Sequence, residues 1–425
     1  MASTDAHGAI DAVWRIESPK LIAALTRIVR DVGVAEDLAQ DALVAALEQW
    51  PDEGIPRNQG AWLMAAAKHR AIDFFRRNKR LDEKHAEIGR GLEAEQNRIP
   101  DFDSGLDDDM GDDLLRLVFI SCHPVLSTEA RVALTLRLLG GLTTDEIGRA
   151  FLVPEPTIAQ RIVRAKRTLT KERVAFEVPR GADLEVRLSS VLGVIYLVFN
   201  EGYTATAGDD WMRPSLCEEA LRLGRILAEL TPKKAEVHGL VALMEIQASR
   251  LRARVDASGQ PILLLDQNRA LWDRLLIRRG LEGIERAERL GVARGPYLLQ
   301  ASIAACHARA LEAGQTGWTR IVSLYDELAR VSPSPVVDLN RAVAVGMASG
   351  PQAGLDALDV LRDNQALRTY HLLPSVRGDL LVKLGRLVEA REEFERAASL
   401  TRNARERELL LERARRHCQV DEDRA

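Results

Sequence analysis

Apolar side chains recur at spacings of three and four residues through most of the chain, which predicts helices. Three such segments open the sequence, at residues 11–33, 35–49 and 60–80. In the second segment Leu38, Ala42 and Leu47 share one face. The opposite face is polar and is expected to face outward, with Glu36, Asp37, Gln40, Asp41 and Glu48 on it. No convincing alternating strand pattern is present, so the sequence predicts an all-α fold.

The segment at 60–80 joins an apolar face to a basic end. Its apolar residues at near-helical spacing are Ala61, Trp62, Ala65, Ile72 and Phe75. Its basic residues are Lys68, Arg70, Arg76, Arg77, Lys79 and Arg80, against the single acid Asp73. Such a helix fits one that packs on its own domain and lies along a phosphate backbone. Taken alone, the basic run is also typical of a solvated helix face.

A helix-turn-helix pattern occupies the second part of the chain, within residues 114–173. Thr143 and Glu146 have capping-box spacing, which predicts the start of a short helix. A turn at 151–154 leads into a longer helix from Glu155. That helix carries Gln160, Arg161, Arg164, Lys166 and Arg167 towards one side, which suits a major groove and its flanking phosphates.

Charge is segregated although the net charge is only −4. Residues 101–113 are acidic, contain glycine and have few apolar side chains, so they predict a flexible linker or a plain spacer. Basic residues are concentrated in two predicted helices on either side of it, the segment at 60–80 and the helix from Glu155. The two basic segments are therefore expected to belong to separate domains.

More than half of the chain follows as a third part. Residues 186–199 are apolar almost all round, which predicts a buried helix, and residues 200–203 are expected to form a turn after it. Further helices are expected at 218–230, 236–254 and 264–290. A repeated spacing then appears three times, in the triplets Ile321/Tyr325/Leu328, Ala353/Ala357/Val360 and Ala390/Phe394/Ala397. The triplets start 32 and 37 residues apart, close to the period of tetratricopeptide repeats.

Catalytic chemistry is not indicated. The sequence lacks a phosphate-binding glycine loop and the signatures of zinc proteases, serine hydrolases and kinases. The four cysteines lie far apart, and the pair Cys122 and His123 follows an apolar run, where a buried structural role is favoured over a metal or redox role. We therefore expect no enzyme activity, no metal and no cofactor. The absence of a signal peptide or a membrane-spanning stretch predicts a cytoplasmic protein.

The first part resembles region 2 of extracytoplasmic-function sigma factors, the small members of the sigma-70 superfamily. The resemblance rests on Glu36-Asp37-Leu38-x-Gln40-Asp41, Trp50, Ala61-Trp62-Leu63, residues 67–73 and Arg76-Arg77. In that family the first block binds the clamp of core RNA polymerase, and the later helix and the loop before it hold the melted −10 element of promoter DNA. Lys68-His69 stands where the family commonly has Arg-Asn, a departure that bears on sequence preference at that element.

The helix-turn-helix resembles region 4 of the same family, which reads the −35 element. Ala159 and Gln160 replace the usual Lys and Ser, and Pro154 stands where the family often has a capping Ser. In the family the linker threads the active-centre and exit channel of the polymerase. The third part resembles the helical extension of one subgroup, including the run at 194–203.

The resemblance implies a domain order and three sets of site residues. Region 2 is expected at 9–82, the acidic linker at 83–111, region 4 at 112–178 and the tetratricopeptide-like domain at 183–420. The implied polymerase-binding residues are Glu36, Asp37, Leu38, Gln40, Asp41 and Trp50. The implied −10 residues are Arg57, Asn58, Lys68, His69, Arg70, Arg76, Arg77 and Arg80. The implied −35 residues are Thr157, Gln160, Arg161, Arg164, Lys166 and Arg167.

The expected function is transcription initiation with core RNA polymerase and promoter DNA as partners. A base is expected to leave the stack at the loop 54–60. The repeats are expected to bind a protein regulator, with a module that only solubilises and stabilises the chain as the alternative. Two other functions are open at this point: a stand-alone helix-turn-helix regulator with a repeat sensor, and a helical scaffold or enzyme whose activity lies in the third part.

Overall fold

The computed structural model describes the backbone of residues 2–88 and 110–416, and the side chains of residue 10, 13–77 and 111–416. Most of the acidic linker expected at 83–111 lies outside the described residues, as does the side chain of Arg80. Within the described ranges the chain forms eighteen α-helices and one pair of two-residue strands. The all-α prediction is confirmed. None of the described helices combines the length and apolar character needed to cross a membrane.

The chain divides into two compact units, Met1–Ile195 and Tyr196–Ala425. The division falls inside a helix and lies beyond residue 183, where the sequence places the start of the third part. Unit 1 contains the helices α1 (Ala2–Val29), α2 (Val32–Glu53), α3 (Gln59–Ile88), α4 (Met110–Ser121), α5 (Thr128–Leu138), α6 (Thr144–Phe151), α7 (Glu155–Lys171) and the first part of α8 (Gly181–Tyr203).

Helix α2 begins and ends on local backbone chemistry. Asp31 caps its start, because its Oδ1 accepts hydrogen bonds from the backbone N–H groups of Gly33 (2.7 Å) and Val34 (3.0 Å). The expected end of this segment at residue 49 is wrong, because the helix continues through Trp50 and Pro51 to Glu53. Pro51 lies in the last turn, where its missing N–H removes only one hydrogen bond, and the helix stops at Gly54, whose φ of 88° suits glycine.

The buried stripe of α3 differs from the expected one. Leu63, Ala67 and Ala71, spaced by four residues, are at most 2% exposed, whereas Ala61 and Ala65 lie on the surface. An alanine-rich segment offers several faces of similar hydrophobicity, so composition alone did not select the right one. Trp62 packs edge-on against Trp50 of α2, with ring centroids 5.3 Å apart, which fixes α3 on α2.

The helix-turn-helix is formed by α6 and α7 as expected. The Thr143 side chain accepts from the N–H of Glu146 (3.1 Å), and the Glu146 carboxylate accepts from the N–H of Thr143 (2.8 Å), so the predicted capping box is confirmed. Leu152 makes the turn in the left-handed region with φ 52°. A Cβ on Gly148 would lie 2.7 Å from the Val153 carbonyl oxygen, so the close approach of the turn to α6 requires glycine there.

Unit 2 is a series of helix pairs. After α8 come α9 (Pro214–Leu230), α10 (Ala235–Ala248), α11 (Arg274–Arg289), α12 (Pro296–Arg309), α13 (Trp318–Val331), α14 (Pro335–Ser349), α15 (Pro351–Asp359), α16 (Leu372–Lys383), α17 (Leu387–Leu400) and α18 (Ala404–Arg416). The helix expected at 264–290 begins only at Arg274, where Asp273 caps it, and the one expected at 236–254 ends at Ala248. Loop and 3-10 segments occupy the residues between them.

Helix α8 corrects two expectations. Residues 200–203 are its last turn and not a separate turn, because Gly202 lets the helix pass against the next one: a Cβ there would lie 2.7 Å from the Cys217 backbone nitrogen. The helix is also not buried all round, since Val186 is 64% and Leu197 45% exposed. The apolar run in the sequence therefore predicts more burial than this helix has.

The three expected repeats coincide with the helix pairs α13/α14, α15/α16 and α17/α18. Ile321 and Leu328 are buried in the first pair, and Ala390, Phe394 and Ala397 are completely buried in the third. The middle triplet is wrong at its last position, because Val360 is 84% exposed and the covered side chains of α15 are those of Leu355 and Leu358. The helical pairs support the tetratricopeptide-like description of this segment.

The beginning and the end of unit 2 are joined by backbone pairing. Strand β1 (Ala207–Gly208) pairs in parallel with β2 (Arg402–Asn403). Asn403 is 1% exposed, and its Nδ2 donates to the carbonyl oxygens of Ala205 (3.1 Å) and Asp210 (2.8 Å). The loop after α8 is therefore held directly against the loop between α17 and α18.

Candidate nucleic-acid and partner interfaces

The acidic face of α2 remains partly on the surface. Asp37 and Asp41 are exposed, and Gln40 is half-buried and donates from Nε2 to Oε1 of Glu36 (2.7 Å). Partial burial raises the pKa of Asp37, an effect that Lys166 opposes and the nearby carboxylates reinforce. Two of the sequence-predicted contact residues are core residues instead, since Leu38 is 6% and Trp50 3% exposed. These two side chains support the face and do not form part of it.

Glu36 does not face outward as expected; it is 3% exposed. Its Oε1 lies 2.6 Å from Nε of Arg137 on α5, and its Oε2 is ion-paired with Nζ of Lys166 on α7. Burial alone would raise the pKa of the Glu36 carboxyl, but Lys166 and Arg137 together hold it below its ordinary value. Any partner that needs this carboxylate can reach it only after α5 and α7 have moved away.

Three further polar contacts accompany this pair within unit 1. Arg15 of α1 lies 2.6 Å from Glu146 of α6, and the Thr170 hydroxyl donates to Oδ2 of Asp31 (2.9 Å). Arg27 of α1 pairs with the 2%-exposed Asp113 of α4 at 2.9 Å. The helix-turn-helix and its supporting helices are thus packed on α1 and α2. We call the set Glu36, Arg137 and Lys166 the latch.

The basic side of α3 is accessible. His69, Arg70, Arg76 and Arg77 are exposed, and Lys68 is half-buried. The loop before the helix exposes Arg57 and Asn58, and Asn58 Oδ1 accepts from the backbone N–H of Ala61 (3.0 Å). Asn58 is therefore a cap for α3 as well as a candidate DNA contact.

Helix α7 presents most of its predicted −35 residues on one side. Gln160, Arg164 and Arg167 are exposed at spacings of four and three, with Thr157 and Arg161 half-buried beside them. Lys166 is turned into the latch. Pro154 offers no side-chain cap, as expected, and Thr144 Oγ1 instead links the two helices by donating to Glu155 Oε1 (2.8 Å).

Sequence reasoning missed Arg137. Nothing in its local sequence marks it, because its partner Glu36 lies 101 positions away. Cys122, by contrast, is buried beside Thr135, with Sγ 3.2 Å from Oγ1, and burial raises the pKa of its thiol. Its surroundings favour a structural role. In the described part of the chain no three His, Cys, Asp or Glu side chains are grouped so that they could hold a metal ion.

Comparison with known families supplies independent evidence for two parts of unit 1. Residues 14–81 match Sigma-70 region 2, and residues 116–169 match Sigma-70, region 4. Residues 187–288 match a family of unknown function, DUF6596. The first two matches cover the helices that carry the acidic face, the basic side of α3 and the helix-turn-helix.

Two relatives extend this evidence. An uncharacterized protein of Rhizobium meliloti (strain 1021) is 41% identical over 411 residues, which is 94% of this chain and 93% of that protein. A protein of Mycobacterium tuberculosis described as "Probable ECF RNA polymerase sigma factor SigI" is 26% identical over 172 residues, which is 40% of this chain and 58% of that protein. With both sigma regions in order and a helical unit after them, the chain belongs to the extracytoplasmic-function-like sigma factors of RNA polymerase that carry a C-terminal extension.

Proposed function

We propose that this sigma factor binds core RNA polymerase through the exposed part of the acidic face of α2. Asp37 and Asp41 lie on the surface, while Leu38, Ala42 and Ala46 of the same helix are buried. A cluster of surface acids on an amphipathic helix can bind a basic partner while its own domain stays folded. Because Leu38 and Trp50 are buried, we assign them to positioning this face.

We further propose that α3 and the loop before it hold the melted −10 element. The exposed basic residues lie along one helix, as phosphate binding needs, and such contacts bring a steep salt dependence. Arg57 and Asn58 at the loop would meet an unstacked base, whose unstacking costs a few kcal/mol. Lys68 and His69 in place of the usual pair would set the base preference there.

For the −35 element we propose the exposed side of α7. Gln160, Arg161 and Arg164 lie near the start and middle of the second helix of the helix-turn-helix, the part that enters a major groove. Arg167 and Thr157 would contact the flanking phosphates. Lys166 could join this set only when it leaves Glu36.

The remaining parts complete the proposal. Region 2 occupies 9–82 and region 4 occupies 112–178, with the acidic segment 83–111 threading polymerase between them. The repeats regulate initiation by binding a protein partner, as stacked helical repeats are suited to do. Their exposed pairs Arg391/Glu395 and Arg416/Glu412 alternate charges, which suits a solvated face and not a phosphate-binding groove. The chain itself performs no catalysis, and since it works with RNA polymerase we place it in the cytoplasm.

The observation that carries this function is the ordered match of both sigma regions to helices whose charged sides are exposed. The test is run-off transcription with core polymerase, together with a direct core-binding measurement. Asp37→Arg combined with Asp41→Arg should weaken core binding at least about 100-fold, because two attractions become repulsions. Both side chains are exposed, so the circular dichroism spectrum should stay helical.

A matched control lies on the same helix. Glu48→Arg combined with Asp52→Arg makes the same charge change at exposed positions outside the proposed contact. It should leave core affinity within about twofold of wild type. Unchanged core affinity in the Asp37/Asp41 variant would refute the assignment of this face. Promoter binding by a wild-type chain that has no measurable affinity for core polymerase would favour a stand-alone regulator.

A further inference from the structure

Unit 2 contains a cleft that neither its repeats nor the sigma regions explain. It lies where the end of α8 and the loop 204–213 meet the ends of α16, α17 and α18, and its volume is about 690 Å³. That volume is typical of sites that hold a small organic molecule. Its apolar walls are provided by Leu197, Tyr203, Trp211, Tyr370, Leu372 and Leu400.

One arginine in the wall is buried without a carboxylate partner. Arg254 is 8% exposed, and its guanidinium carbon lies 3.5 Å from the centroid of the Tyr203 ring. Its Nη2 donates to the Tyr203 carbonyl oxygen (3.0 Å) and to the Thr204 hydroxyl (2.8 Å), and its Nε lies 3.3 Å from the Met212 sulfur. No carboxylate of the described residues pairs with Arg254, and its Nη1 donates no hydrogen bond within them.

Two more buried arginines lie behind it. Arg250 is 9% and Arg269 6% exposed, and neither is paired with a carboxylate in the part of the chain that the structure describes. Arg250 donates to Gln247 and lies beside Tyr203 and Trp272, and its Nε has no hydrogen-bond partner among the described residues. A buried cation is costly unless an anion balances it. Three such cations leave a concentrated positive potential beside the cleft.

Neither of the two acids that line the cleft is paired with Arg254, because each is bound by other side chains. Glu201 is ion-paired with Arg213 and accepts from the Thr206 hydroxyl (2.9 Å). Glu406 lies 2.9 Å from Nε2 of His371 and accepts from the Thr401 hydroxyl (2.6 Å). The cationic groups that remain for a ligand in the cleft are the buried Arg254 and the exposed Arg402, which also lines it.

We propose that this cleft binds a small organic anion, a carboxylate attached to a planar aromatic body. The carboxylate would accept from Nη1 of Arg254, where a charge-assisted hydrogen bond forms in a desolvated site. The aromatic body would pack against Tyr203, Trp211 and Tyr370. Because opposite walls come from residues about two hundred positions apart, binding would hold the two ends of unit 2 together and stabilise it.

The test uses the full chain and isothermal titration calorimetry with defined probes. Benzoate, cinnamate, phenylacetate and indole-3-acetate are the carboxylates, indole-3-acetamide is the uncharged counterpart of the last, and inorganic phosphate is an anion without an apolar body. At least one carboxylate should bind with a dissociation constant of about 1 mM or tighter and raise the melting temperature. The amide and phosphate should each bind at least about tenfold more weakly than the best carboxylate. Absence of binding by all four carboxylates, or equal binding of the amide or of phosphate, would overturn the proposal.

Variants then locate the site. Arg254→Gln should lower carboxylate affinity at least about tenfold, whereas Arg252→Gln, an exposed arginine two positions away, should not change it. Since Arg254 also holds the backbone at Tyr203, a melting curve must show that the variant is folded. If Arg254→Gln is not folded, Trp211→Ala tests the location of the site instead, because Trp211 is half-buried and lines the cleft. Unchanged carboxylate affinity in a folded Arg254→Gln or Trp211→Ala protein would contradict this location.

Discussion

Removing the Arg137 side chain from the latch should increase the affinity of the chain for core polymerase. Arg137→Ala takes away the guanidinium that lies 2.6 Å from Glu36. Among the described residues, the 3%-exposed carboxylate is then left with Lys166 as its ion-pair partner. Glu36 can regain hydration only if α5 and α7 move off α2. The substitution therefore destabilises the closed packing of unit 1 relative to an arrangement in which the acidic face of α2 is open.

The size of the effect follows from the geometry. Removing one partner of a fully buried pair typically costs about 3–5 kcal/mol. Here the side chain of Arg137 is 23% exposed and Lys166 stays in place, so we expect about 1–3 kcal/mol. This corresponds to an approximately 5- to 150-fold shift towards the open arrangement. If the closed arrangement dominates, apparent affinity for core polymerase rises by up to the same factor.

Two measurements check this prediction. Core affinity is measured by fluorescence anisotropy, and the exposure of Lys166 by its rate of acetylation, read by mass spectrometry. Both should increase in Arg137→Ala. The control is Arg149→Ala, which removes an exposed ion pair between Arg149 and Asp145 within α6. It should change neither quantity. If Arg137→Ala leaves both at the wild-type value, the latch does not restrict access to α2.

Two further outcomes are expected. If Arg164 contacts a base, Arg164→Ala should cost about 1–3 kcal/mol of promoter-binding free energy and relax specificity at one base pair. If it contacts phosphate, the substitution should weaken binding to all sequences alike. An unchanged promoter affinity in electrophoretic mobility shift assays would show that the recognition side of α7 is misassigned. Burial together with Arg250 and Arg269 lowers the pKa of His307 to about 4, so the unfolded state binds its proton first as pH falls. The free energy of unfolding of unit 2 should therefore be about 2 kcal/mol lower at pH 5 than above about pH 6.5. Urea unfolding curves of His307→Gln should lack this component of the pH dependence.

Features set by neighbours in sequence were predicted well. The capping box at Thr143 and the absence of a side-chain cap at Pro154 depend on contacts within a few residues, and both are found. The completely buried triplet at Ala390, Phe394 and Ala397 likewise follows from helical spacing. Local chemistry and periodicity are properties that a sequence displays directly.

Features set by distant residues were not predictable in this way. Glu36 has the pattern of a surface acid, and only the approach of Arg137 and Lys166 buries it. Val360 fits the repeat spacing, yet none of the described helices covers it. The cleft of unit 2 is the strongest case, because Arg254 and Tyr370 belong to segments that show no relation in sequence. Long-range packing decided each of these positions.

The bond between Asn403 and the loop after α8 has a consequence for how unit 2 can change in evolution. In an open array each repeat touches only its neighbours, so repeats can be gained or lost at an end and the terminal one can fray alone. Here the amide of Asn403 satisfies the buried carbonyl of Ala205 near the other end of the unit. An added or deleted helix pair would carry Asn403 away from that carbonyl. This closure, which combines the Asn403 hydrogen bonds with the pairing of β1 and β2, therefore constrains the number of repeats, and unit 2 should unfold as one cooperative unit.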